Sequence, residues 1–162
     1  MSSMTVFSMN RIPIRVAVVD DDRSVCKALH RLLTVAGFHL ATFGSGGEFL
    51  ATIRLAMPDC LILDLNMPAM TGREVLETIS ERIPNLPVII LTATESPEAR
   101  AVCDGLGVAA YLTKPVREDE LVGAIFSAIP SMERLSSSRQ VGTESDWIRA
   151  RRVPEASIQI NR

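Results

Sequence analysis

The chain has 162 residues, 47% of them apolar and 22% charged, with a formal net charge of −2. That length allows one ordinary domain with a proper core and excludes two large ones. The near-neutral balance gives no whole-protein attraction to nucleic acid or to an anionic membrane. No apolar run approaches the ~20 residues of a membrane span. Residues 1–15 lack the basic start and apolar core of a signal peptide, so cytoplasm is the expected location.

Residues 1–14 read as a flexible leader. A first strand is predicted from Arg15 to Asp20, followed by a helix capped by Asp22 or Ser24, with Val25, Leu29, Leu32, Leu33 and Ala36 as its apolar stripe and Gly37 as terminator. His39–Phe43 is a second strand, Gly44–Gly47 a loop and Glu48–Leu55 a short second helix. Cys60–Asp64 is the third strand. The irregular stretch Leu65–Gly72 is a loop, and Arg73–Arg82 a third helix with Val75, Leu76 and Ile79 inward. Val88–Thr92 is the fourth strand, and Pro97–Leu106 a weak, Ala-rich fourth helix. The fifth strand ends at Thr113, Lys114-Pro115 turns the chain, and Glu118–Ile129 is the fifth helix, with Leu121, Val122, Ile125 and Ile129 on one side. Residues 130–162 hold Ser136-Ser137-Ser138, Trp147 and the Arg149/Arg151/Arg152 cluster. They lack the apolar spacing of a second core and read as a disordered, Arg-containing tail, or as a partner-binding segment.

Five β-α units in about 115 residues require parallel strands and right-handed crossovers. The expected fold is therefore α/β, a doubly wound (βα)5 three-layer sandwich with helices on both faces of a five-stranded parallel sheet. The strand cores are short aliphatic runs, as in strands buried on both faces. Cys26, Cys60 and Cys103 form no CxxC pair and read as small buried hydrophobes. His30 and His39 lack a supporting helical bundle and read as surface or half-buried residues.

Asp20-Asp21-Asp22, Asp64, Thr92 and Lys114 each follow one of these runs. In open parallel sheets ligands bind outside the carboxyl ends of the strands, so these acids, a hydroxyl and an ammonium belong to one place. Taken singly, each is an ordinary cap, solvated loop or exposed turn; their shared position at four strand ends overrides that reading. Carboxylates meet an anionic phosphate only when a divalent cation bridges them, and Mg2+ takes oxygen ligands with only a few from protein. The first-strand acids and Asp64 suit that role. Asp64, alone at the end of the central strand, is the candidate nucleophile. Lys114 can neutralise a phosphoryl oxygen and Thr92 can donate its hydroxyl to another.

Val-Val-Asp-Asp-Asp at 18–22, Leu-Asp-Leu-Asn-Met-Pro-Ala-Met-Thr-Gly at 63–72, Leu-Thr-Ala at 91–93 and Tyr-Leu-Thr-Lys-Pro at 111–115 resemble the receiver domain of bacterial two-component response regulators, in detail those of the FixJ and NarL type. The resemblance covers about residues 14–129, with 15–129 as the domain. It implies strand order 2-1-3-4-5 and Asp64 as phospho-acceptor. It further implies Mg2+ bound by Asp21 directly and Asp20 through water, with Asp64 and the Asn66 carbonyl completing the set, and Asp22 as helix cap. Thr92 and Lys114 would hold phosphoryl oxygens, and Tyr111 would be the aromatic switch that turns inward when Thr92 moves. Asn66 and Thr94 occupy positions that tune the lifetime of the phosphoryl group.

The implied function is a single-domain response regulator, a phospho-acceptor with at most self-phosphorylation and self-dephosphorylation activity. Its donor would be a sensor histidine kinase or a histidine phosphotransfer protein. Its output would be an unidentified protein, or a homodimer formed through the face of the fourth helix, fifth strand and fifth helix. Regulators of this type carry a DNA-binding domain after the receiver; an Arg-containing tail stands there instead, so direct DNA binding is not expected. Two other readings fit the same residues. One is a transcriptional regulator using the basic tail or a DNA-binding partner. The other is a Mg2+-dependent aspartyl-phosphate phosphohydrolase, a class that needs an acid two residues after the nucleophile, where this chain has Asn66.

Overall fold

A computed structural model of the chain describes residues 13–129, in the order β1 (Arg15–Val19), α1 (Arg23–Val35), β2 (His39–Phe43), α2 (Gly46–Thr52), β3 (Cys60–Leu63), α3 (Gly72–Arg82), β4 (Val88–Thr92), α4 (Pro97–Gly105), β5 (Ala110–Thr113) and α5 (Glu118–Ala128). The expected tail at 130–162, with its Ser run, Trp147 and Arg cluster, and residues 1–12 of the expected leader lie outside the described residues. The five strands form one parallel sheet in the order β2-β1-β3-β4-β5, as expected.

The sheet is sandwiched between two apolar layers. On one face α1 contributes Cys26, Leu29 and Leu33, and α5 contributes Leu121, Ile125 and Ile129, over Val16, Val18, Leu40, Ile62, Ile89 and Leu91. On the other, Phe49 of α2, Val75, Leu76 and Ile79 of α3 and Cys103 of α4 cover Val19, Leu61, Leu63, Ile90 and Tyr111. Alternate residues of β1 and β3 thus enter opposite layers, which is why their sequences are apolar throughout.

Helix starts are set by side-chain caps. Asp22 accepts from the backbone N–H of Ser24, Ser45 from Glu48, and Ser96 from Ala99. Thr71 and Glu74 form a capping box. These caps shift two expected boundaries. Helix α2 begins at Gly46 rather than Glu48, because Ser45 caps it by accepting the Glu48 N–H; α3 absorbs Gly72, because Thr71 starts it. In α1 the inward residue of the first turn is Cys26, while Val25 and Leu32 are half-buried and Ala36 is exposed. Gly37 ends that helix at φ +96°, a conformation that suits glycine.

All three cysteines are free and buried, and burial pushes the Cys26 thiol up to about 11 and that of Cys60 up to about 12. They are inert core groups, as read. His30 and His39 are half-buried. No described helix is long and apolar enough to cross a membrane.

Candidate functional site

Strand register assembles the acids. Val19 of β1 stands beside Leu63 of β3, so the next residues, Asp20 and Asp64, leave the sheet side by side. The Asp64 N–H still donates to the Val19 carbonyl at 3.0 Å. Thr92 pairs with Thr113 across β4 and β5, which delivers Lys114 to the same rim, and the Lys114 N–H donates to the Thr92 carbonyl at 2.8 Å. The Lys114–Pro115 peptide is cis.

Ligand oxygens of Asp20, Asp21 and Asp64 all lie within 4.8 Å of one another. Asp20 and Asp64 are only 3% and 5% exposed, whereas Asp21 opens to solvent. Lys114 Nζ sits 2.6 Å from Asp20 Oδ2 and 3.8 Å from Asp64 Oδ2. One ammonium therefore serves two buried carboxylates, and a third acid stands at the mouth. Burial raises the Asp64 pKa above its ordinary value, and the Asp20 charge pushes the same way, against the Asn66 N–H and Lys114.

Both buried acids are fixed by nearby backbone. Asp20 Oδ1 accepts from the Asp22 N–H at 2.9 Å, and its carbonyl accepts from Cys26 Sγ at 3.3 Å. Asp64 Oδ1 accepts from the Asn66 N–H at 3.3 Å. The loop beyond Asp64 folds back tightly: the Gly72 N–H donates to the Leu65 carbonyl at 3.2 Å, and a Cβ on Gly72 would collide with the Asp64 carbonyl. Only glycine fits there. Ala69 in the same loop has φ +62°, a left-handed conformation for a residue with a Cβ.

Thr92 is fully buried, and its Oγ1 accepts from Asn66 Nδ2 at 3.0 Å. This link was not legible in the sequence, because the residues are 26 positions apart. Tyr111 is buried in the α2–α3–α4 layer, with the Arg100 guanidinium 5.4 Å from its ring centroid. Its hydroxyl is buried without a hydrogen-bond partner, and burial pushes its pKa up. Thr94 is exposed. Asp20, Asp21, Asp64, Asn66, Thr92 and Lys114 thus share one rim, with Tyr111 one strand away.

The response regulator receiver domain family profile matches residues 16–126. The chain belongs to that family. It is 38% identical over 128 residues to the DNA-binding transcriptional regulator NtrC of Klebsiella pneumoniae, covering 79% of this chain and 27% of that protein. It is 36% identical over 111 residues to the response regulator MprA of Mycolicibacterium vanbaalenii, covering 68% and 48%. The chain thus spans about a quarter to a half of the length of these relatives. Among solved structures, the chemotaxis protein CheY4 of Vibrio cholerae superposes with a TM-score of 0.69 at 29% identity, covering 73% of this chain and all of that one.

Receivers serve phospho-acceptor signalling in two-component systems, with a histidine kinase or phosphotransfer protein as donor, and bind Mg2+ through an acidic pocket. The donor set of this receiver suits that ion. It is made of hard carboxylate oxygens, three of them within 4.8 Å of one another, with one ammonium between the two buried ones.

Proposed function

We propose that Asp64 accepts the phosphoryl group, that Asp20, Asp21, Asp64 and the Asn66 carbonyl hold Mg2+, and that Thr92, Lys114 and Tyr111 carry the resulting change to a partner. The observation that carries this reading is the pairing of three carboxylates within 4.8 Å with an ammonium that reaches both buried ones. Mg2+, when bound, would supply the positive charge that lets an anionic donor approach. The remaining chemistry belongs to the chain. A carboxylate oxygen of Asp64 attacks the phosphorus of a phosphohistidine, a P–O bond forms as the P–N bond breaks, and the departing imidazole nitrogen takes up a proton.

The new group adds roughly −1.5 to −2 charge at neutral pH. Lys114, 3.8 Å from Asp64, is the cation able to turn from Asp20 toward it. Thr92 can donate to a phosphoryl oxygen once its hydroxyl rotates, which rearranges its contact with Asn66. Moving a switch from mostly off to mostly on takes about 5.5 kcal/mol of differential stabilisation, and charge-assisted contacts from Lys114 and Thr92 are the strong kind. Residues 93–95, exposed at the end of β4, and α4 beside Tyr111 are the parts through which that change reaches the surface. The face of α4, β5 and α5 would then meet an output protein or a second copy.

Against a phosphohydrolase stands Asn66, which has no titrating proton and whose amide donates to Thr92. The reading is therefore an acceptor that turns over slowly and acts on a partner protein. Incubation with a radiolabelled small phosphodonor tests it. Hydroxylamine-labile label should appear with Mg2+ and vanish on chelation or in Asp64→Asn; full labelling of that variant would refute the assignment.

A further inference from the structure

Among the described residues three large apolar side chains stand exposed, and two of them belong to the layer of α1 and α5. Val35 in the last turn of α1 is 86% exposed, and Phe126 near the end of α5 is 57% exposed. Both helices return from the carboxyl rim along one face of the sheet, so their last turns lie at its foot, away from the phosphate site. The third residue, Leu55, follows α2 on the opposite face. Phe126 meets the buried Phe38, just after α1, with ring centroids 5.4 Å apart, so the two helix ends are neighbours. The foot is thus an aromatic ledge, backed by the core and open to water.

Two side chains bury too little apolar area to offset the cost of bringing a separate molecule to them. A segment of the same chain is already at hand. The described residues end at Ile129, three positions after Phe126, so residues 130–162 leave from the ledge. The stretch from Ile129 to Trp147, fully extended, spans up to ~60 Å, whereas α1 is only ~20 Å long, so the whole foot is within reach. Trp147-Ile148 is the one place in 130–162 where two large apolar residues stand together, and Trp147 is the single tryptophan of the chain. An indole carries a large apolar area and pairs well with another aromatic ring. Within one chain it faces the ledge at an effective concentration on the order of millimolar.

We propose that Trp147, with Ile148, docks on the Phe126–Val35 ledge of its own chain, so that the segment after the last helix covers the foot of the α1–α5 layer. The contact is apolar and intramolecular, so it is insensitive to salt and to protein concentration. Arg149, Arg151 and Arg152 follow closely and keep their charged heads in water at its edge. The contact lies at the far end of the sheet from the phosphate site and does not depend on the reading of that site.

Trp147 emission in the full chain, without phosphodonor, tests this. The wild type is expected to show blue-shifted emission and acrylamide quenching several-fold slower than a free indole, both unchanged on dilution and in high salt. Phe126→Asp and Val35→Asp should each restore the emission and fast quenching of a water-exposed indole. Val35 is exposed enough that its replacement leaves the core intact, and far-ultraviolet circular dichroism checks the folding of both variants. Leu55→Asp, on the opposite face, should change nothing. A water-exposed indole in the wild type, shielding that survives either substitution at the ledge, or shielding lost in Leu55→Asp would overturn the proposal. So would shielding that fades on dilution, which puts Trp147 on a second copy, or shielding lost in salt, which puts the Arg cluster on the acids of α5.

Discussion

The two halves of the carboxyl rim are built differently. At the ends of β1 and β3, both buried carboxylates have a backbone partner: Asp20 takes the Asp22 N–H, Asp64 takes the Asn66 N–H, and Gly72 packs against the Asp64 carbonyl. At the ends of β4 and β5, side chains meet only side chains. Thr92 accepts one amide hydrogen from Asn66, Lys114 reaches back across the sheet to Asp20, and the Tyr111 hydroxyl is buried with no partner. Backbone-held groups keep one geometry, while groups held by one side-chain contact have others within reach. The first half is made to receive a group in a fixed position, and the second to respond to it.

The sharpest way to break this contrast is to attack the rigid half through its backbone. Gly72→Ala puts a methyl into the Asp64 carbonyl and should cost about 3 kcal/mol or more, visible as a large drop in urea midpoint. A loss below about 0.5 kcal/mol would mean that this loop yields freely and is no more fixed than the other half.

The next effect probes the cation shared between halves. Lys114 is paired with Asp20, so a divalent ion must compete with it. Lys114→Ala should tighten Mg2+ binding about tenfold, roughly 1.4 kcal/mol, measured by calorimetry. Unchanged or weaker binding would show that Lys114 does not hold Asp20 in solution.

Two smaller effects sharpen the comparison. Burial raises the Asp64 pKa above its ordinary 3.8, so the ionised form weakens folding. Stability that this carboxyl contributes is present below that ordinary value and is lost as pH rises through the raised one. Asp64→Asn should therefore be more stable than the parent at pH 7 by a few degrees in Tm, with the gap closing as pH falls toward 3.8. A gap that is constant with pH would contradict this. Tyr111→Phe removes an unsatisfied buried hydroxyl and should leave stability unchanged or raise it by about 0.5–1 kcal/mol. A loss above 1 kcal/mol would show that the hydroxyl has a partner.

Much of the rigid half was legible in the sequence. Aliphatic runs ending in Asp20, Asp64, Thr92 and Lys114 gave the strands and their common edge, because parallel strands buried on both faces are apolar at every position. The order β2-β1-β3-β4-β5 came only from the resemblance, since nothing local in a strand names its neighbour. Start signals were less clear. Gly46 and Gly72 read as loop residues because glycine disfavours helix interiors, yet the Ser45 and Thr71 caps draw them into first turns. The responsive half was the least legible. The Asn66–Thr92 bond, the Lys114–Asp20 pair and Arg100 over Tyr111 join residues distant along the chain, and no periodicity encodes such partners.

The central claim is that phosphate enters at one aspartate. Borohydride reduction after phosphorylation converts an aspartyl phosphate to homoserine, and peptide mass spectrometry then reads the position. Homoserine at position 64 alone is the predicted result; homoserine at position 20 or 21, or label retained only on His30 or His39, would contradict the account.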